Sequence, residues 1–80
     1  MLKIVEYRHE KYRPGDPGHD LGARFETRDE ARPFLASHLE RVYPAKDFEH
    51  GEHEEQGTWW VRGKLDKSFY RRFAIEDAAT

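Results

Sequence analysis

The 80-residue chain is 36% hydrophobic and 38% charged, and a domain of that size buries only about 60% of its unfolded surface, so nearly every large apolar side chain is needed for one core spanning residues 1–80. An aromatic share of 14% sets it apart from disordered chains of similar polarity, because Trp, Phe and Tyr bury the most area per residue. A net charge of −2 gives no general attraction to nucleic acid or anionic membranes, and the absence of cysteine excludes disulfides, thiolate catalysis and cysteine-ligated metal centres.

Leu2 to His9 reads as a first strand, β-branched and aromatic with partial alternation. Glu10 to Asp20 is a long loop whose Arg13-Pro14-Gly15-Asp16-Pro17-Gly18 centre is dense in turn formers. Leu21 to Thr27 alternates, with Leu21, Ala23 and Phe25 on one side and Gly22, Arg24 and Glu26 on the other. It is expected to pair antiparallel with the first strand.

Thr27 and Glu30 have the spacing of a capping box, and Ala31, Phe34, Leu35, Leu39 and Val42 follow three and four apart. That pattern predicts an amphipathic helix, stopped by Pro44. Pro33 leaves two options, a helix that begins near Arg32 or one whose first turn is distorted. Ala45 to Gln56 is polar and acidic. Phe48 is its one large apolar residue, expected to pin a short strand or turn on the core. Gly57 to Arg62 is a strand, Gly63 to Lys67 a turn, and Ser68 to Glu76 a last strand. The expected fold is α+β: two layers, an antiparallel β-sheet in β-β-α-β-β order, and one amphipathic helix packed on one face.

Period-two geometry sorts the last hairpin into faces. Trp59, Val61 and Leu65 point one way and Trp60, Arg62 and Lys64 the other. Phe69, Phe73 and Ile75 share a side with Arg71, while Tyr70, Arg72, Ala74 and Glu76 share the opposite side. For the apolar groups to meet under the helix, Val61 must lie by Arg71 and Trp59 by Phe73. A loop with an odd number of residues, such as Leu65-Asp66-Lys67, sets that register. Arg71 is then the misfit, expected at a rim or turned out by a bulge.

The consequence is an outer face carrying Trp60, Arg62, Lys64, Tyr70 and Arg72, the candidate binding residues. Such a face suits a protein interface, including self-association as a homodimer, because Trp, Tyr and Arg dominate interface energetics. Aromatics interleaved with cations also stack bases and neutralise phosphates, so single-stranded nucleic acid is an alternative partner, against which the net charge weighs. The same residues also stabilise strands on their own through cross-strand and cation–π contacts.

His50 and His53, among Glu49, Glu52, Glu54 and Glu55, supply the ligand types for a weak metal site, but their spacing matches no established metal motif. The loop from Tyr12 to Asp20 lacks the phosphate-cradling pattern. Ser37 and His38 are neighbours in sequence and diverge on a helix, and no other nucleophile sits beside a base, so no enzyme activity and no cofactor are expected. No basic-then-apolar leader follows Met1, and no apolar run approaches the roughly 20 residues of a membrane span, so the expectation is a cytoplasmic interaction module with no membrane partner.

Overall fold

The computed structural model describes residues 1–9, 15–53 and 57–78. Six elements follow in order: β1 (Leu2–Tyr7), β2 (His19–Asp20), α1 (Arg28–Val42), β3 (Phe48–His53), β4 (Thr58–Gly63) and β5 (Tyr70–Asp77). The strands form one five-stranded sheet in the order β2-β1-β5-β4-β3, and every pairing is antiparallel. The helix lies on one face, so the expected α+β two-layer class holds, with a strand more than the β-β-α-β-β order allowed.

The extra strand is β3, in the polar, acidic stretch where Phe48 is expected to pin a short strand or turn. One apolar residue gives it no periodic signal of its own. Its pairing along all of β4, from Phe48 opposite Gly63 to His53 opposite Thr58, makes it a strand. The second strand is not Leu21 to Thr27 but the shorter His19–Asp20, at the end of the stretch expected to be loop. Its ladder is His19–Asp20 against Glu6 and Val5, the Leu21 N–H still donates to the Ile4 carbonyl at 3.0 Å, and further on Phe25 and Leu2 exchange backbone hydrogen bonds of 2.7 and 2.9 Å. Between these points Asp20 breaks the ladder. Its carboxylate accepts from the Gly22 N–H at 2.8 Å and pairs with Arg24, and the Arg24 bond holds its pKa down at about 2.

Thr27 caps α1 as its spacing implied, its side chain accepting from the Glu30 N–H at 3.2 Å. The helix starts at Arg28, not near Arg32, and runs through Pro33, which leaves the Asp29 carbonyl without its helical donor. Tyr43 closes the other end with an N–H to Leu39 carbonyl bond of 2.8 Å, and Pro44 follows. The buried stripe is narrower than the sequence suggested: Ala31, Leu35 and Leu39 are buried, whereas Phe34 and Val42 are 38% and 45% exposed. Phe34 packs its ring on Phe25 at 5.2 Å instead of facing the sheet.

The core joins that stripe to Ile4, Val61, Phe73 and Ile75. Burying a Phe such as Phe73 contributes about 1.5–3 kcal/mol. The hairpin register is the one the apolar residues required, with Trp59 opposite Phe73 and Val61 opposite Arg71. Leu65 departs from expectation. It is 93% exposed, because β4 ends at Gly63 and the alternation stops with it. Asp66 closes the turn by accepting from both the N–H and the hydroxyl of Ser68.

Arg71 is neither at a bulge nor turned out. The β4–β5 ladder runs through it without interruption, and its side chain lies on the helix side over the Phe69 ring at 4.3 Å. Its guanidinium meets the Glu6 carboxylate of β1 at 3.2 Å, and the Tyr43 hydroxyl donates to that carboxylate at 2.8 Å. A charge inside the layer is tolerated because it is paired and hydrogen-bonded. Burial and the Glu6 bond together raise the Tyr43 hydroxyl to about 12.

Candidate functional site: the open sheet face

Strand alternation sends Lys3, Val5 and Tyr7 of β1, Trp60 and Arg62 of β4, and Tyr70, Arg72, Ala74 and Glu76 of β5 to the face away from the helix. The cross-strand pairs agree: Trp60 lies opposite Arg72, Arg62 opposite Tyr70, and Tyr7 opposite Arg72 from the other side. Four of the five sequence candidates, Trp60, Arg62, Tyr70 and Arg72, therefore stand together. Lys64, the fifth, lies one residue beyond β4. It is exposed, and its N–H still extends the ladder to the Asp47 carbonyl at 3.0 Å.

The cations lie on the rings. Arg62 is 5.6 Å from the Trp60 ring centre and 5.5 Å from that of Tyr70, and Arg72 is 4.3 Å from that of Tyr7. Each such contact contributes about 0.5–1 kcal/mol at an exposed site. His53 of β3 adds a further ring 6.5 Å from Trp60. The Trp60 indole leans toward β3 and covers Gly51. A Cβ at residue 51 would come within 2.5 Å of the indole nitrogen, so the glycine is what lets the ring lie flat there.

The face divides into two halves. On the β1 side, Val5, Tyr7 and Ala74 form a small second core, all 8% exposed or less. The loop at Gly18 closes over them; a Cβ there would stand 2.7 Å from the Tyr7 ring, and its φ of +65° is one that glycine adopts readily. Part of the 10–20 loop is thus a lid on this half, while residues 10–14 lie outside the described residues. The Tyr7 hydroxyl donates to Glu76, and burial followed by that bond raises its pKa to about 12. On the β3 side Arg62 is exposed, while Trp60, Tyr70 and Arg72 are half-buried and the Arg72 Nε is buried without a hydrogen-bond partner among the described residues. This half is the candidate site. Tyr7 and Gly51 belong to its construction and escaped the sequence reading. The Gly51–Trp60 relation needs the β3–β4 register, which a polar segment does not announce.

The histidines do not converge. His50 is on the helix side of β3, its Nε2 donating to the Tyr43 carbonyl, while His53 is on the outer side beside Trp60. Glu52, also on the helix side, is bridged to Arg32 of α1, whose guanidinium lies 5.5 Å from the Trp59 ring. Glu54 and Glu55 fall outside the described residues. Among the described residues no cluster of three or more His, Asp or Glu side chains could hold a metal. His38, the partner considered for Ser37, packs edge-on against Phe73 at 5.9 Å, and its burial lowers its pKa. No helix among the described residues is long and apolar enough to cross a membrane.

Comparison with protein-family models, with curated proteins and with solved structures finds no match to this chain.

Proposed function

We propose that the chain is a non-enzymatic protein-interaction module whose contact surface is the open half of the outer sheet face, with a second copy among its eligible partners. One observation carries the reading: Trp60, Arg62, Tyr70 and Arg72 share that face, held by the ladder and not by long flexible connections. Pre-set aromatic and guanidinium groups lose little entropy on binding, and Trp, Tyr and Arg are the residues that anchor interfaces. Single-stranded nucleic acid is the weaker fit. The guanidinium groups already lie over the ring faces a base would take, and the net charge is −2. The exposed Phe34 and Val42 of α1 are the rival surface.

The test pairs affinity capture from source-cell extract, using wild type and Trp60→Ala as baits, with NMR mapping of the recovered partner on the labelled chain. Loss of the partner with Trp60→Ala, and shifts at Trp60, Arg62, Tyr70 and Arg72, support the reading. Shifts confined to Phe34 and Val42 overturn it. A parallel titration with single-stranded oligonucleotides at low salt should leave Trp60 and Tyr70 unmoved; strong shifts there, fading as salt is raised, would favour nucleic acid.

A further inference from the structure

Sheet edges are usually blunted by shortness, Lys, Pro or a bulge, because their unpaired N–H and C=O groups otherwise template another strand. The β2 edge is blunted: it has two residues and ends in the Asp20 turn. The β3 edge is not. Its six residues, Phe-Glu-His-Gly-Glu-His, contain no Lys and no Pro, and its ladder with β4 runs without a bulge. Nothing pairs with its other side among the described residues.

The ladder's phase fixes which groups point outward. The Lys64 N–H bonds the Asp47 carbonyl, so alternate residues Glu49, Gly51 and His53 face β4 with their backbone groups. His50 and Glu52 therefore turn their N–H and C=O groups to the open edge. Phe48 does too, but its N–H is taken by the Pro44 carbonyl at 3.0 Å.

The charge order along this edge complements itself when reversed. Two antiparallel copies centred on Gly51 place Glu49 opposite the partner's His53, and His50 opposite the partner's Glu52. On the outer side each Glu49 carboxylate then faces an imidazole, while on the helix side Glu52 keeps its bridge to Arg32 and His50 its bond to the Tyr43 carbonyl. The same register sets His50 and Glu52 as the hydrogen-bonded pair, so the open backbone groups satisfy one another. Gly51 faces Gly51 at the two-fold axis. Each Trp60 indole already lies over its own Gly51, so the two indoles lean toward each other across the glycine pair.

We propose that two copies of this chain associate edge to edge through β3, in the register centred on Gly51, to make one continuous sheet of twice the width. This inference stands apart from the outer-face reading, since the edge dimer forms whether or not that face binds anything, and when it forms it brings two open faces side by side.

The test is a charge exchange read by light scattering up to millimolar concentration. One variant carries Glu49→Lys with Glu52→Lys, and the other His50→Glu with His53→Glu. The wild type should run at twice its 9.5 kDa mass. The histidine-to-glutamate variant alone opposes carboxylates, and the glutamate-to-lysine variant alone opposes lysines to imidazoles with no carboxylate left on the edge, so each should be monomeric, while an equimolar mixture should restore the dimer as a heterodimer. A monomeric wild type, variants that still dimerise alone, or a mixture that stays monomeric would each overturn the proposal. A second readout uses the wild type only, so it does not depend on the variants folding: concentration-dependent NMR shifts and slowed amide exchange at His50 and Glu52, with a shift of the Trp60 indole. Shifts at Tyr70 and Arg72 with the β3 amides unchanged would overturn the edge dimer and leave the outer-face reading standing.

Discussion

Gly51→Ala has a sign that the structure decides. In an open strand the substitution should stabilise the fold by roughly 0.5–1 kcal/mol, because Ala has less backbone freedom to lose. Here the added Cβ would enter the Trp60 indole, coming within 2.5 Å of its nitrogen. Restoring an optimal contact of about 3.5–4.0 Å to the nearest ring atoms moves the ring outward by about 1.2–1.7 Å. The indole must leave its rotamer, at about 0.5–1.5 kcal/mol. It also loosens its contact with Arg62, worth about 0.5–1 kcal/mol. The net expectation is destabilisation by a few tenths to about 1.5 kcal/mol, or up to roughly 10 °C in melting temperature for a domain of this size. Thermal unfolding at micromolar concentration measures it, with tryptophan fluorescence reporting the moved ring. A raised melting temperature with an unchanged emission spectrum would refute the argument.

Three further outcomes follow from the polar groups. Spectrophotometric titration should show Tyr7 and Tyr43 ionising near 12. Because their folded pKa values lie above the unfolded value of about 10, the stability they contribute is intact below pH 10 and lost as pH rises toward 12. Tyr43→Phe should remove one of those late transitions, and a normal titration of both hydroxyls would refute the burial assigned to them. Arg71→Ala leaves the Glu6 carboxylate short of its cation and should cost about 1–3 kcal/mol in denaturant unfolding. Replacing both Arg71 and Glu6 by Leu should recover most of the loss, and a harmless Arg71→Ala would show that the pair is solvated. His38, with its pKa lowered by burial, is protonated more readily in the unfolded chain, so stability should fall as pH drops through about 6.5. His38→Phe should flatten that slope, and an unchanged slope would assign it elsewhere.

What was legible in the sequence was what periodicity carries. The capping box at Thr27 and Glu30 and the apolar stripe gave the helix, and the need for Val61, Trp59 and Phe73 to meet beneath it gave the hairpin register. Alternation loses its hold where a ladder ends, hence the misplaced Leu65, and where a side chain competes for the backbone, hence a second strand that stops at Asp20 instead of running from Leu21 to Thr27. For β3 only a short strand or turn at Phe48 was legible, because an edge strand needs only one partner and little apolar surface. Its strand character comes from β4, not from its own residues. The place of Arg71 was unreadable for a similar reason: its partner Glu6 is at the other end of the chain, and only the β1–β5 pairing brings them together. The candidate face was read from parity alone, whereas its lidded half and the Gly51 seat for Trp60 required tertiary contacts.

The account depends above all on the open grouping of Trp60, Arg62, Tyr70 and Arg72. Nuclear Overhauser contacts in the isolated chain measure it most directly. Contacts from the Trp60 indole to Gly51 and Arg62, with none to Leu35 or Leu39, are the predicted result. Contacts from that indole to the helix would contradict the account.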